Sequence, residues 1–170
     1  RKAVDYLERA LPRARFEQAM GIRMTLGRLY LQQQDADKAV VVLRQILVDE
    51  PGVPQAIVLL ARAYTTAGKT DAAIELLKDA AVRDPNFYGS LGEACEKESR
   101  WSEAAAAYEQ AAKVNPGNTD LKTRWALALL NIGGADNGRR ARDLLIDVTH
   151  VNSTSGWPLY LLARAQRETG

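Results

Sequence analysis

Cysteine and histidine occur once each in the 170 residues, as Cys95 and His150. A single cysteine excludes an internal disulfide and a cysteine metal cluster; it fits a reducing compartment and is compatible with a bacterial periplasm. A Ser-His-Asp or Cys-His arrangement would have to bring those two residues together from separate segments. A cysteine filling a core beside a helix-terminal histidine needs no such coincidence. Gly133-Gly134 is not followed by Gly-Lys-Ser/Thr, so no phosphate-binding loop is spelled. No apolar run approaches the roughly 20 residues of a membrane-spanning helix. Neither sign of charge dominates, with 23 basic against 21 acidic residues, and residues 1–53, 54–118 and 119–170 carry nine against seven, seven against nine and seven against five. No block is therefore basic enough to serve as a nucleic-acid footprint. Aromatics make up only 6%, so whatever core forms is aliphatic and alanine-rich. The chain opens on Arg1 without a methionine or a signal pattern, which reads as a piece of something longer. Its address, cytoplasmic or periplasmic, stays open.

What is present is a pattern written more than once. Leu26-Gly27 with Tyr30 recurs as Leu60-Ala61 with Tyr64, and Ala39, Leu43 and Pro51 recur as Ala73, Leu77 and Pro85, each 34 residues on. A fixed period of this size marks a stacked repeat, in which each unit buries its apolar face against its neighbours. One helical stripe at i, i+4 and i+7 appears five times: Ala3/Leu7/Ala10, Ala39/Leu43/Ile46, Ala73/Leu77/Ala80, Ala104/Tyr108/Ala111 and Ala141/Leu145/Val148. Each is read as the second helix of a helical hairpin. The first helices carry Leu26-Gly27/Tyr30, Leu60-Ala61/Tyr64, Leu91-Gly92/Cys95, Trp125-Ala126/Leu129 and Leu162-Ala163/Gln166, the small residue letting the partner helix approach. Gln166 departs from the pattern.

The chain thus divides into hairpins at about 1–19 (partial), 20–53, 54–84, 85–118, 119–153 and 154–170 (partial), all within one array over 1–170. Asp49-Glu50-Pro51, Arg83-Asp84-Pro85 and Val114-Asn115-Pro116 end second helices, and Pro12 ends the first. Gly68 is a C-cap, with Gly170 at the same repeat position; Thr70-Asp71 and Ser102-Glu103 are helix starts. The phase slips three times. Ala61 to Gly92 is three residues short, Ala104 to Ala141 is three long, and Ala10 to Leu26 is two long. All three slips are expected in turns, the second in a loop from Gly133 through Ala135, Asp136 and Asn137 to Gly138.

The leucine, the small residue, the tyrosine three further on, the alanine, the large apolar residue and the closing proline resemble the tetratricopeptide repeat. That resemblance implies an all-α fold, a right-handed α-solenoid of antiparallel helical hairpins whose first helices line a concave wall. The residues after each small residue, Arg28, Arg62, Glu93, Leu127 and Arg164, would lie on that wall, with Met24, Leu31, Val58, Thr65, Lys97 and Tyr160 one turn away. Arg28 and Arg62, one repeat apart over Met24, Leu31 and Val58, would offer guanidinium forks above an apolar floor; arginines facing solvent without a ligand are the alternative. Chaperone-binding members use a lysine–asparagine clamp, but Met24 with Arg28 and Val58 with Arg62 stand there. Members fused to sugar transferases carry an asparagine ladder, and Thr25, Leu59, Ser90, Arg124 and Leu161 do not form one.

Other features read as background. Glu93, Glu96 and Glu103 suit exposed helical faces better than a metal, and the Asn152-Ser153-Thr154 sequon is a common accidental match. Cys95 stands where the repeat wants a buried filler. Trp101 sits where the family often has an aromatic lid, Trp125 replaces the packing leucine, and Trp157 is an exposed contact or a staple. The reading is a non-enzymatic protein–protein scaffold without cofactor or metal. It would bind a peptide or partner segment along its groove, within a larger bacterial protein, the origin being suggested by arginine exceeding lysine. The alternatives are a spacer or self-assembly module acting through its end hairpins, and a regulatory array attached to an enzyme or transcription factor.

Overall fold

The structure is a computed structural model that describes residues 2–151 and 155–169. Ten α-helices follow one another among the described residues, with no strand: α1 (Lys2–Ala10), α2 (Phe16–Gln32), α3 (Ala36–Asp49), α4 (Pro54–Thr66), α5 (Thr70–Arg83), α6 (Tyr88–Lys97), α7 (Trp101–Val114), α8 (Thr119–Ile132), α9 (Ala135–Val151) and α10 (Gly156–Thr169). The fold is an α-solenoid of antiparallel helical hairpins. Contacts divide the chain into two compact units, Arg1–Leu77 and Lys78–Gly170, the division falling inside α5. The sequon Asn152-Ser153-Thr154 and Gly170 lie outside the described residues.

In the first unit α2 packs on α3, α3 on α4, and α2 on α4. Its core is one cluster containing Val4, Leu26, Tyr30, Ala39, Leu43, Ile46, Ala56 and Leu60. The second-helix stripe Ala39/Leu43/Ile46 is wholly buried. At about 1.5–3 kcal/mol per buried leucine or isoleucine, it anchors the hairpin. The small residue does what its position requires, since a Cβ on Gly27 would stand 2.6 Å from Leu43 Cδ2. In the second unit α6 packs on α7, α7 on α8, α8 on α9 and α9 on α10. Ala104/Tyr108/Ala111 and Ala141/Leu145/Val148 are buried there, as are Cys95 and Leu129.

The two outermost helices depart from the expected stripes. In α1 Ala3 is exposed while Val4 is buried, and Leu7 and Ala10 are half-buried. Val4 turns toward α2; nothing described covers the side that carries Ala3. In α10 Pro158, Leu161 and Ala165 are buried, whereas Ala163 and Gln166 are exposed. Burial there follows α9 and α8, the neighbours that α10 has.

The helix ends confirm the proline stops and relocate two of the three slips. α3, α5 and α7 end at Asp49, Arg83 and Val114, and Leu11–Arg13 forms a 3-10 turn at Pro12. The connections after these second helices, residues 50–53, 84–87 and 115–118, are equal in length. The three residues missing after Pro85 are lost from α6 itself, which has 10 residues against 13 in α4 and 14 in α8. A 3-10 turn, Pro85–Phe87, replaces its opening turn, with Asp84 accepting from the Asn86 amide and Phe87 buried as the anchor. The three extra residues near Gly133 are likewise helical, not loop. Gly133 and Gly134, with φ of 79° and 88°, reverse the chain by themselves, and α9 begins at Ala135 with 17 residues. Gly138 faces α10 closely: a Cβ there would be 3.1 Å from Thr169 Cγ2, so the threonine would have to give slightly.

Gly68, at φ 71°, closes α4 with Gly68 N donating to Thr65 O and Lys69 N to Tyr64 O, a Schellman cap. Gln34 and Ser99 build the same cap with positive φ and no glycine. α7 starts at Trp101, so Ser102 lies inside it, and Arg100 Nε reaches Glu103 Oε1 at 2.6 Å instead.

Candidate functional site

The wall positions fall into two sets, one per unit. In the first unit, burial of Leu26, Gly27 and Tyr30 on α2 and of Leu60 and Ala61 on α4 turns the next residue of each helix outward. Arg28 and Arg62 are exposed, as is Val58; Met24, Leu31 and Thr65 are half-buried. Met24 and Leu31 rest on the core cluster, so these aliphatic residues of the face are held by packing. Arg28 Nη2 donates to Gln55 Oε1 at 3.0 Å in the first turn of α4, linking the two first helices through a neutral partner. The Arg62 guanidinium has no ion pair or hydrogen bond among the described residues. The hydroxyls of Thr25, Thr65 and Thr66 close onto the carbonyls of Gly21, Ala61 and Arg62 at 2.9–3.0 Å. This face therefore exposes two guanidinium groups together with Val58.

In the second unit Glu93 and Lys97 are exposed on α6, Leu127 is half-buried on α8, and Tyr160 is exposed on α10. Arg164 is partly buried and occupied. Its Nη2 donates to the Leu130 carbonyl at 3.0 Å, its Nη1 to Asn131 Oδ1 at 3.5 Å and its Nε to Glu168 at 3.0 Å. It thereby satisfies a carbonyl in the last turn of α8. Tyr160 stacks on Trp157 with ring centroids 5.5 Å apart, and Trp157 is exposed rather than stapled under a turn.

Sequence reasoning missed a polar network in this unit. Tyr108 Oη donates to Glu96 Oε2 at 2.5 Å, Arg124 Nη1 reaches the same oxygen at 3.2 Å, and Arg124 Nε reaches Asp120 at 3.0 Å. Burial and then Glu96 push the Tyr108 phenol well above the usual tyrosine range. Only the tyrosine at the stripe's leucine position hinted at it. Glu103, paired with Arg100 and Lys78, is held below the usual carboxylate range, first by the Arg100 hydrogen bond. Burial pushes the Cys95 thiol up, which makes it a poorer nucleophile. His150 is exposed. Among the described residues no three His, Cys, Asp or Glu side chains group as metal ligands, and no helix is long and apolar enough to cross a membrane.

Two profiles described as tetratricopeptide repeat match residues 30–90 and 88–121, together more than half of the chain. The chain belongs to the tetratricopeptide repeat family. A curated relative, small glutamine-rich tetratricopeptide repeat-containing protein 2 of Mycosarcoma maydis, is 38% identical over 65 residues, which is 36% of this chain and 18% of that protein. The match thus spans less than a fifth of the relative's length. Among solved structures, a tetratricopeptide repeat protein from Parabacteroides merdae aligns over 98% of this chain and 66% of its own, with TM-score 0.78 and 13% identity. The MamA protein aligns over 89% and 82%, with TM-score 0.75 and 21% identity. MamA of Desulfovibrio magneticus aligns over 88% and 86%, with TM-score 0.74 and 12% identity. At these identities the structures share the fold. Membership of the tetratricopeptide repeat family makes the chain a protein–protein interaction scaffold in the general sense, a class that is typically non-catalytic.

Proposed function

We propose that the exposed face of α2 and α4 seats a segment of a partner protein that carries carboxylates and aliphatic side chains, and that the chain works as a binding array within a longer bacterial protein. Arg62 carries this reading: an exposed guanidinium with no partner among the described residues, one repeat from Arg28. Guanidinium forks bind carboxylates bidentately, with a geometry that lysine lacks. Val58, Met24 and Leu31 supply apolar contact between them, so an acidic segment with spaced aliphatic residues fits where a purely acidic one gains only screened charge.

The test is a displayed peptide library selected on the chain, followed by fluorescence anisotropy of the recovered peptides. Acidic–aliphatic sequences are expected, and Arg28→Glu with Arg62→Glu should weaken them by about tenfold or more with helical circular dichroism unchanged. Recovered peptides whose affinity ignores the double reversal would overturn the assignment.

A further inference from the structure

On α3, Val41, Arg44 and Val48 form the stripe that faces away from the core. Val41 is 69% exposed and Val48 71%, so two apolar side chains in solvent bracket the exposed Arg44. The Arg44 guanidinium has no ion pair or hydrogen bond among the described residues. Beside it an open groove of about 420 Å³ runs between α3 and the part of α5 that belongs to the first unit, floored by α4. Leu47, Val48, Tyr64 and Leu76 line it, with Arg44 on the α3 edge and Glu75 on the α5 edge.

The repeat gives this groove two counterparts in the second unit, and there the chain fills the place itself. Arg44 stands five residues after the stripe alanine Ala39, as Lys78 does after Ala73 and Glu109 after Ala104. The residue that meets this position comes from the next second helix, immediately before its own stripe alanine: Ala72, Glu103 and Arg140. Glu103, which also holds Arg100, reaches Lys78 at 3.3 Å. Arg140 reaches Glu109 at 3.4 Å and lies 5.7 Å over the ring of Trp125. The charges are reversed between the two, yet a pair forms in both. The groove spanned by Lys78 and Glu103 measures only about 250 Å³. In the first unit Ala72 stands at the bridging position and lines the groove with a methyl group. Arg44 is left without the partner that its equivalents have.

We infer that the α3–α5 groove of the first unit takes a segment of a partner protein that presents a glutamate or aspartate between aliphatic side chains, with its carboxylate on Arg44 as Glu103 lies on Lys78. The segment is acidic there because the α3 edge offers an unpaired positive charge, and Glu75 opposite turns a carboxylate toward α3. It is aliphatic to either side because Val41 and Val48 flank Arg44, while Leu47, Tyr64 and Leu76 lie in the groove. This surface belongs to second helices, so it is separate from the Arg28–Arg62 face of the first helices. One groove and one ridge bury little area, and micromolar or weaker affinity follows.

Arg28→Gln with Arg62→Gln removes the charges of the first-helix face, and a displayed peptide library selected on that double variant reads what remains. The recovered peptides are expected to carry an acidic residue flanked by leucine, isoleucine or valine. In fluorescence anisotropy Arg44→Glu should weaken them by about tenfold or more. Ala72→Glu should weaken them as much by the opposite route, supplying Arg44 with the carboxylate that Glu103 gives Lys78. Ala72→Ser supplies none and should leave affinity unchanged. Arg44 and Ala72 are both exposed, so helical circular dichroism should stay the same in every variant. A selection that recovers no peptide, or peptides whose affinity ignores Arg44→Glu or survives Ala72→Glu, defeats the inference. None of these outcomes bears on the Arg28–Arg62 face, whose charges the double variant lacks.

Discussion

Replacing Gly92 by alanine sets two effects against each other. Gly92 lies inside α6, where alanine is the better helix former by about 1 kcal/mol. A Cβ there, however, would stand 2.5 Å from Cε1, 2.6 Å from Cδ1 and 2.9 Å from Cζ of Tyr108. That ring cannot yield: it is wholly buried, and its hydroxyl is tied to Glu96, itself held by Arg124. Overpacking of this kind costs about 1–3 kcal/mol, leaving a net loss of up to about 2 kcal/mol once the propensity gain is subtracted. Tyr108→Leu replaces the tethered ring by a shorter side chain that no hydrogen bond holds in place, the pairing of types found at Ala61 and Leu77, both buried. In that background Gly92→Ala should stabilise, by about 0.5–1 kcal/mol. Urea unfolding of the four proteins, followed by far-UV circular dichroism, closes the double-mutant cycle. Midpoints are the safer readout, because repeats unfold with limited cooperativity. The expected coupling is about 2 kcal/mol with a change of sign between backgrounds. If Gly92→Ala has one and the same effect with tyrosine and with leucine at 108, the ring is not the reason for the glycine.

The Schellman caps give a second prediction. Gln34 and Ser99 hold φ of 61° and 55° with exposed side chains, so Gln34→Gly and Ser99→Gly should each raise stability by about 1 kcal/mol. Gly68→Ala should cost a similar amount, and thermal midpoints that fall for both glycine substitutions would contradict the strain argument. A third concerns alkaline pH. Burial and then the Glu8 hydrogen bond, at 2.5 Å, push the Tyr30 phenol up to about 12 from 10. The folded state keeps a proton that the unfolded state releases, so this contribution is complete below pH 10 and is lost as pH rises through 12. Tyrosinate absorbance should show a late component that moves to lower pH in Glu8→Gln, and its absence would refute the pairing.

The second-helix stripes were legible because helix crossing makes the same demand in every repeat, and Ala39, Leu43 and Ile46 meet it in the interior. The same triplet misled at Ala3, and Ala163 misled in the partner pattern. A stripe records a capacity to be buried, and burial also needs a neighbour. Gly138 misled for a related reason. Glycine reads as loop by propensity, yet here it lies in α9 beside the Thr169 methyl, an approach between α9 and α10 that no local pattern spells. Gln34 and Ser99 occupy left-handed caps that were invisible without glycine. The exposure of Arg28 and Arg62 followed from register alone, since each is the next residue after a buried small one.

What register could not separate is a guanidinium that is available from one that is already engaged. Arg124 and Arg164 stand in first helices like Arg28 and Arg62, but each is closed by partners on its own and a neighbouring helix. A ligand carboxylate would have to displace Glu96 and Asp120 from Arg124, or the Leu130 carbonyl and Glu168 from Arg164. Those exchanges replace one charge-assisted bond by another, so a ligand gains little from them. Arg28 would give up only a neutral hydrogen bond to Gln55, and Arg62 none. The discrimination between wall arginines is therefore electrostatic rather than positional. On the proposed reading it favours Arg28 and Arg62 over the arginines of the second unit, although all of them sit in equivalent helices.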